Sequence, residues 1–289
     1  MLEIFDVAEV GGDRTGTPAV AGQHRFVGGS DGGDRRVVDG SQLLAQSVVA
    51  ASKVMTGHTV HSAHAVFTRA VDAVRPVWFS VDVTHSGRTF GGAVVTVGQD
   101  DRRCASVSLL LDVTHPDVIL HGARMPEVGS PADAVEIAMP LDGRELRLVG
   151  VADPNDPEEV GPAVLDAWVR YDTVPDRSDL ARALLAHFTG HLSISATMRG
   201  HRAIGTSQAH RTVSTAVMSI SIVFHEPVAW KGWLLYHHES TQVGGGMSYV
   251  RSQVFTEQGA LLASFAQEGM IRPFEEGGGS PTMPAEAVL

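Results

Sequence analysis

The chain repeats itself. Phe67-Thr68-Arg69-Ala70 has its counterpart in Phe224-His225-Glu226-Pro227, 157 residues on, and Cys104-Ala105-Ser106-Val107 has its counterpart in Leu262-Ala263-Ser264-Phe265, 158 residues on. Around each pair the order of elements is the same, a helical segment followed by four strand-like runs. A unit used twice must cover its one helix with its own sheet, so the expectation is an α+β chain in which each half wraps a curved antiparallel sheet around a helix. In the first block Asp39-Gly40-Ser41-Gln42 opens a helix whose Leu43, Leu44, Val48, Ala51, Val54 and Met55 recur at helical spacing. Asp39 or Ser41 is placed to cap it. β-Branched and aromatic runs predict strands over 60–67, 76–84, 90–99 and 103–113, the last two joined in a hairpin at Gly98-Gln99-Asp100-Asp101. In the second block Thr189-Gly190-His191 is expected to open a helix over 191–198. Strands are expected over 212–224, 232–240, 248–256 and 260–271, with a hairpin at Glu257-Gln258-Gly259.

This periodicity divides the chain into a first unit (1–115), a connector rich in proline (116–180), a second unit (181–275) and a Gly-, Pro- and Ala-rich tail (276–289) expected to be flexible. The connector is expected to hold short strands at 134–139 and 146–151, and Gly28 to Asp34 reads as a loop. Lys and Arg number 22 against 33 Asp and Glu, a net charge of −11, which argues against a nucleic-acid or anionic-membrane partner. Cys104 is the single cysteine, so no intrachain disulfide forms. No apolar run approaches the roughly 18 residues of a membrane span, and the acidic start, with Glu3, Asp6 and Glu9, lacks the basic flank of a secretory signal. A cytoplasmic protein is the expectation. The 14 histidines include no His-Glu-x-x-His pattern, so no metal site is expected.

Several motifs carry a resemblance. They are Val38-Asp39-Gly40-Ser41-Gln42, Val60-His61-Ser62-Ala63-His64, Thr84-His85-Ser86-Gly87-Arg88-Thr89-Phe90, Trp233-Leu234-Leu235-Tyr236, Glu239-Ser240-Thr241 and the run from Leu262 to Met270. Together they resemble the acyl-CoA thioesterase II family over about residues 2–273. That resemblance implies a double hotdog fold, hydrolysis of acyl-CoA to a free fatty acid and CoA by water, and no cofactor. It also implies a catalytic Asp, Thr and Gln that hold the water. The Gln carries over as Gln267. Counting from Leu184-Leu185, the Asp position falls on Gly190, with His191 next. Counting back from Phe224, the Thr position falls on Val217, flanked by Thr215 and Ser219, which period-two alternation would put on one strand face. Leu109 occupies the place of Gln267 in the first block, so one site per chain is expected.

Thioester hydrolysis needs a positioned water, a base to take its proton, and donors for the oxyanion. Gln267 can orient water but cannot deprotonate it, so the base is His191 or Asp39. Gly190, His191 and Gly40 are expected to head the two helices and to bring unpaired N–H groups to the oxyanion. Arg69, Arg88, Arg199, Arg202, Arg211 and Arg251 are candidates for CoA phosphate contacts. The partner is an acyl-CoA, and self-association into a homo-oligomer is expected because hotdog sheets leave edges to cover. Two other readings stay open. One is acyl-CoA binding without hydrolysis. The other is an enoyl-CoA hydratase or dehydratase, which needs an Asp/His pair that the matched positions do not supply.

Overall fold

A computed structural model describes residues 1–10, 24–30, 36–138, 143–225 and 228–274. Residues 31–34 of the expected loop, Glu226-Pro227 of the repeat motif, Met139 and the tail 276–289 lie outside the described residues. In chain order the elements are α1 (Leu2–Phe5), β1 (Ala8–Glu9), β2 (His24–Gly28), α2 (Gly40–Val54), β3 (Thr59–Phe67), β4 (Val77–Ser86), β5 (Phe90–Gln99), β6 (Arg102–Asp112), β7 (Val135–Ile137), β8 (Arg144–Leu148), β9 (Val164–Tyr171), α3 (Ser178–Phe188), α4 (Ser193–Met198), β10 (Val213–Phe224), β11 (Trp233–Gly244), β12 (Met247–Thr256) and β13 (Leu261–Pro273).

α2 is buried without a break from Ser41 to Ala51. A helix enclosed on every side is a core element, and here Gln42, Gln46, Ser41 and Ser47 are buried with its Leu, Val and Ala residues inside the sheet. α3 buries Leu180, Leu184, Leu185 and Phe188 and packs against α2. All strands belong to one antiparallel sheet in the order β1-β2-β4-β5-β6-β3-β10-β13-β12-β11-β9-β8-β7. β2-β4-β5-β6-β3 wraps α2, and β9-β11-β12-β13-β10 repeats that order in the second half, where α4 lies against β9, β11, β12 and β13, so the fold is a double hotdog. The halves join where β3 pairs with β10, with Ala65 opposite Ile220 and Ala63 opposite Ile222.

The duplication reaches individual hydrogen bonds. Thr68 N donates to Cys104 O at 2.8 Å, and His225 N donates to Leu262 O at 2.8 Å. Leu109 faces Ala63 as Gln267 faces Ile220. Register breaks recur as well: Val60/Ser62, Val83/His85 and Val97/Gly98 in the first half match Val217/Ser219, Ser240/Gln242 and Val254/Phe255 in the second. An extra residue on one strand raises local twist and bends it, so the sheet curves at the same three places in each half.

Three expectations need correction. The long helix of the second half is α3, at 178–188. The expected helix over 191–198 is present only as the six-residue α4, entered through Leu192 at φ 67°. Gly190 and His191 therefore follow α3 instead of opening a helix, and His191 N is already bonded to Phe188 O at 3.1 Å. Residues 116–180 contain β7, β8 and β9, and β9 pairs with β11 as the outer strand of the second hotdog sheet. Val164–Tyr171 was not expected as a strand, because prolines on both sides gave the region a connector's composition. Neither Asp39 nor Ser41 caps α2, which starts without a side-chain cap hydrogen bond.

Candidate active site

α2 and α3 run past each other so that the start of α2 meets the loop after α3. Gly190 shows how closely. A Cβ built there would lie 2.7 Å from Ser41 Cβ and closer still to Ser41 Oγ. Gly190 does not adopt a left-handed φ, so space, not backbone conformation, demands glycine. Ser41 is 1% exposed, and its Oγ has no hydrogen-bond partner among the described residues. Gly40 is also glycine for space, since its Cβ would meet the Phe67 ring at 2.9–3.0 Å. Both glycines expected near the oxyanion are thus packed against side chains. What α2 offers instead is backbone. Its first intrahelical bond is Gln42 N to Asp39 O (3.0 Å), so the N–H groups of Gly40 and Ser41 precede the helix ladder.

Gln267 enters from β13 on the face turned toward the helices. It is 1% exposed and donates Nε2 to Thr189 O at 3.2 Å, beside Gly190. Asp39, with no cap to make, lies with Oδ2 3.8 Å from His191 Nε2. The His191 ring stacks on Phe188 (centroids 5.2 Å, 10° between planes) and meets His187 edge-on at 5.5 Å. Asp39, Ser41, Gly190, His191 and Gln267 therefore converge where the two halves touch.

Thr215 and Ser219 stand apart. Met218 is the extra residue of the Val217/Ser219 register break, so alternation fails there and the two side chains do not share a face. Ser219 Oγ donates to Glu268 Oε2 at 2.6 Å, on the side of β13 opposite Gln267. Thr215 pairs with Ile271 in the ladder, well along the strand from Gln267, and sits 3.3 Å from His210 Nε2. The arginines are also sorted. Arg199 donates to Val164 O and Gly150 O, Arg202 pairs with Glu158, and Arg251 pairs with Glu239. Arg69, Arg88 and Arg211 are exposed.

Sequence reasoning missed Ser41 as a site residue, and it missed the buried polar groups behind His191. His187 is fully enclosed, and burial first, then the Arg144 charge, push its pKa well below the usual imidazole value. Arg144 Nη2 donates to its Nδ1 at 3.0 Å. His238 is 0% exposed, and burial lowers its pKa to about 3, with smaller contributions from His237 and His191. Its Nδ1 lies 3.0 Å from Ser252 Oγ and 3.4 Å from Ser193 Oγ. His187 could have been found as the residue one helical turn before His191. Nothing local marks Arg144 or His238. Among the described residues no group of three or more His, Cys, Asp or Glu side chains could hold a metal ion.

Residues 32–111 match the model of the acyl-CoA thioesterase N-terminal domain, and residues 121–271 match that of the acyl-CoA thioesterase C-terminal domain. The chain belongs to the acyl-CoA thioesterase family. Acyl-CoA thioesterase 2 of Haemophilus influenzae is 28% identical over 82% of this chain and 88% of its own. Human acyl-coenzyme A thioesterase 8 is 26% identical over 81% of this chain and 80% of its own. Among solved structures, the tesB protein of Mycobacterium avium subs paratuberculosis superposes with a TM-score of 0.76 at 26% identity, covering 94% of this chain and 98% of that one. A dehydratase domain of RzxB from Pseudomonas fluorescens, 12% identical over 94% of this chain and 99% of that one, shares the fold at a TM-score of 0.54. At Gly190, where the resemblance implies a carboxylate, Ser41 fills the space that such a side chain would need.

Proposed function

We infer that the protein hydrolyses acyl-CoA thioesters to a free acid and CoA, at the junction of Gln267, the Gly190-His191 loop and the start of α2. The observation that carries this reading is the convergence of Gln267 with the Asp39–His191 pair in a chain of this family. Gln267 uses Nε2 on Thr189 O, which leaves Oε1 to accept a hydrogen bond from the attacking water. His191 takes the water's proton, and the Asp39 carboxylate 3.8 Å away favours the imidazolium that results. The thioester carbonyl points at the N–H groups of Gly40 and Ser41, where the helix dipole adds positive potential. The tetrahedral intermediate collapses with cleavage of the C–S bond, and the proton held by His191 passes to the CoA thiolate.

A second reading is acyl-CoA binding without turnover, and Gly190 in place of the family Asp supports it. The hydratase reading gains one point, because Asp39 and His191 form across the halves the pair that neither block supplies alone. The reading extends to acyl-lipid metabolism in the cytoplasm and to a homo-oligomer. The single cysteine supports the first, and the half-exposed apolar Val66 and Leu110 on β3 and β6 support the second. No helix among the described residues is long and apolar enough to cross a membrane.

The test is release of CoA thiol from a panel of acyl-CoAs by wild type and by His191→Gln, with hydration of an enoyl-CoA followed in parallel. Thiol release that falls at least about tenfold, roughly 1.4 kcal/mol of barrier, supports the assignment. Release unchanged in His191→Gln removes that residue as base. Binding of acyl-CoA with no thiol released selects the second reading, and enoyl-CoA hydration selects the third.

A further inference from the structure

Arg144 lies at the start of β8, outside the elements that form the hotdog motif, and its guanidinium is sunk behind the candidate base. Nη2 donates to His187 Nδ1 (3.0 Å) and lies 3.1 Å from Met1 Sδ. The guanidinium carbon sits over the rings of Phe188 and Tyr171, 5.4 and 5.8 Å from their centroids. Tyr171 in turn is hydrogen-bonded to the buried Tyr236 hydroxyl at 3.3 Å. Nε and Nη1 are buried and have no acceptor among the described residues. Ring faces and one imidazole offset part of the cost of burying this cation. They do not satisfy two N–H-bearing atoms, and a buried unpaired donor of a charged group is among the more expensive features a fold can carry. A purely structural role in holding Met1 and His187 uses Nη2 alone and leaves the other two atoms unexplained.

Position gives the explanation. The Phe188 ring that Arg144 covers is the ring on which His191 stacks, and His187, which accepts from Arg144, meets His191 edge-on. One ring therefore separates the guanidinium from the candidate base, and Asp39 acts on it electrostatically from the mouth of the site. His187 is held neutral by burial, so it adds no competing charge of its own. A guanidinium with unused donors binds carboxylates best of all common groups.

We propose that Arg144 holds a carboxylate on the acyl group, so that the preferred thioesters are ω-carboxyacyl-CoAs instead of methyl-ended ones. This rests on the thioesterase reading, and the test separates the two. Adipoyl-CoA and hexanoyl-CoA differ only in a terminal carboxylate against a terminal methyl. Their uncleavable thioethers, S-(5-carboxypentyl)-CoA and S-hexyl-CoA, report binding alone by calorimetry. Wild type is expected to hydrolyse adipoyl-CoA with at least a tenfold higher kcat/KM than hexanoyl-CoA, and to bind the carboxypentyl thioether correspondingly tighter. In Arg144→Met both preferences are expected to drop to near unity, with Arg144→Lys retaining part of them. Equal handling of the two ends by wild type overturns the proposal, even if Arg144→Met fails to fold. So does a preference that survives in a folded Arg144→Met. If neither ester is cleaved but the carboxypentyl thioether still binds tenfold tighter, the thioesterase reading fails and the carboxylate site stands.

Discussion

The contact between Gly190 and Ser41 can be tested by exchanging the two positions. Gly190→Asp puts a Cβ 2.7 Å from Ser41 Cβ, nearer to Ser41 Oγ, and a carboxylate beside Asp39. Ser41 is a short side chain on a buried helix and cannot swing aside, since its neighbours from Gln42 to Ala51 are enclosed. Overpacking of this kind costs about 1–3 kcal/mol. At roughly 2–4 °C per kcal/mol for a chain of this size class, Gly190→Asp should lower Tm by about 2–12 °C. Ser41→Gly removes the clashing atoms and an unpartnered hydroxyl, at a helix-propensity cost of no more than about 1 kcal/mol. The double variant Ser41→Gly/Gly190→Asp should then be more stable than the sum of its singles by about 0.5–3 kcal/mol. It should also release CoA thiol faster than Gly190→Asp alone, because the carboxylate occupies open space beside Gln267. The assays are thermal unfolding and thiol release across the four-variant cycle. A Gly190→Asp protein as stable as wild type, or a double variant no better than additive, would refute the claim that Ser41 excludes a side chain at residue 190.

Other expectations follow from the same geometry. Gln267→Ala should lower kcat by at least about tenfold while leaving Tm within a few degrees, and an unchanged kcat would move the site away from β13. Thr215→Ala and Ser219→Ala should each leave kcat/KM within about twofold, roughly the 0.5 kcal/mol spread of substitutions away from special features. A larger loss from Ser219→Ala would mean that the register break at Met218 does not turn it outward. Gly40→Ala should cost about 1–3 kcal/mol through the Phe67 ring, read as a lowered Tm. His238 should make stability fall with acid. Its folded pKa of about 3 lies below the unfolded value near 6.5. The unfolded chain therefore binds the proton first as pH drops, and stability present above pH 6.5 is lost toward pH 3. At pH 5 the difference is about 2 kcal/mol, and His238→Phe should flatten the Tm slope between pH 7 and pH 5. An equal slope in both proteins would contradict a buried neutral imidazole.

Much of the fold is legible in the sequence because it rests on local pattern. β-Branched alternation marks β3 to β6 and β10 to β13, and the offset of 157–158 residues between halves returns in their hydrogen bonds and register breaks. What escapes is non-local or geometrical. α3 has a clear apolar stripe at Leu180, Leu184, Leu185 and Phe188, yet it follows a proline-rich stretch and precedes a 24-residue insertion before β10 that has only four residues in its place in the first half. The insertion displaced the expected helix to 191–198. The turned side chain of Ser219 depends on one extra residue, Met218, that nothing in the alternation announces. The candidate site is read least well, because its parts come from both halves: Asp39 just before α2, Ser41 from α2, His191 from the insertion, Gln267 from β13. Their meeting is a fact of helix packing across the seam, not of spacing along the chain.

That seam has a consequence for descent. Two identical hotdog units in a dimer are bound by symmetry to form two equal junctions, one at each end of the paired helices. Joining them in one chain lifts that obligation. At one end stand Gln267, His191 and Asp39. At the other end of the helix pair, Arg177 grips Asp6 and Asp179, and Lys53 also reaches Asp6. That end is a clasp for the N-terminal segment. The same segment puts Met1 against Arg144 and Phe5 against His187, so a clasp at one end of the helix pair holds in place the groups that stand behind His191.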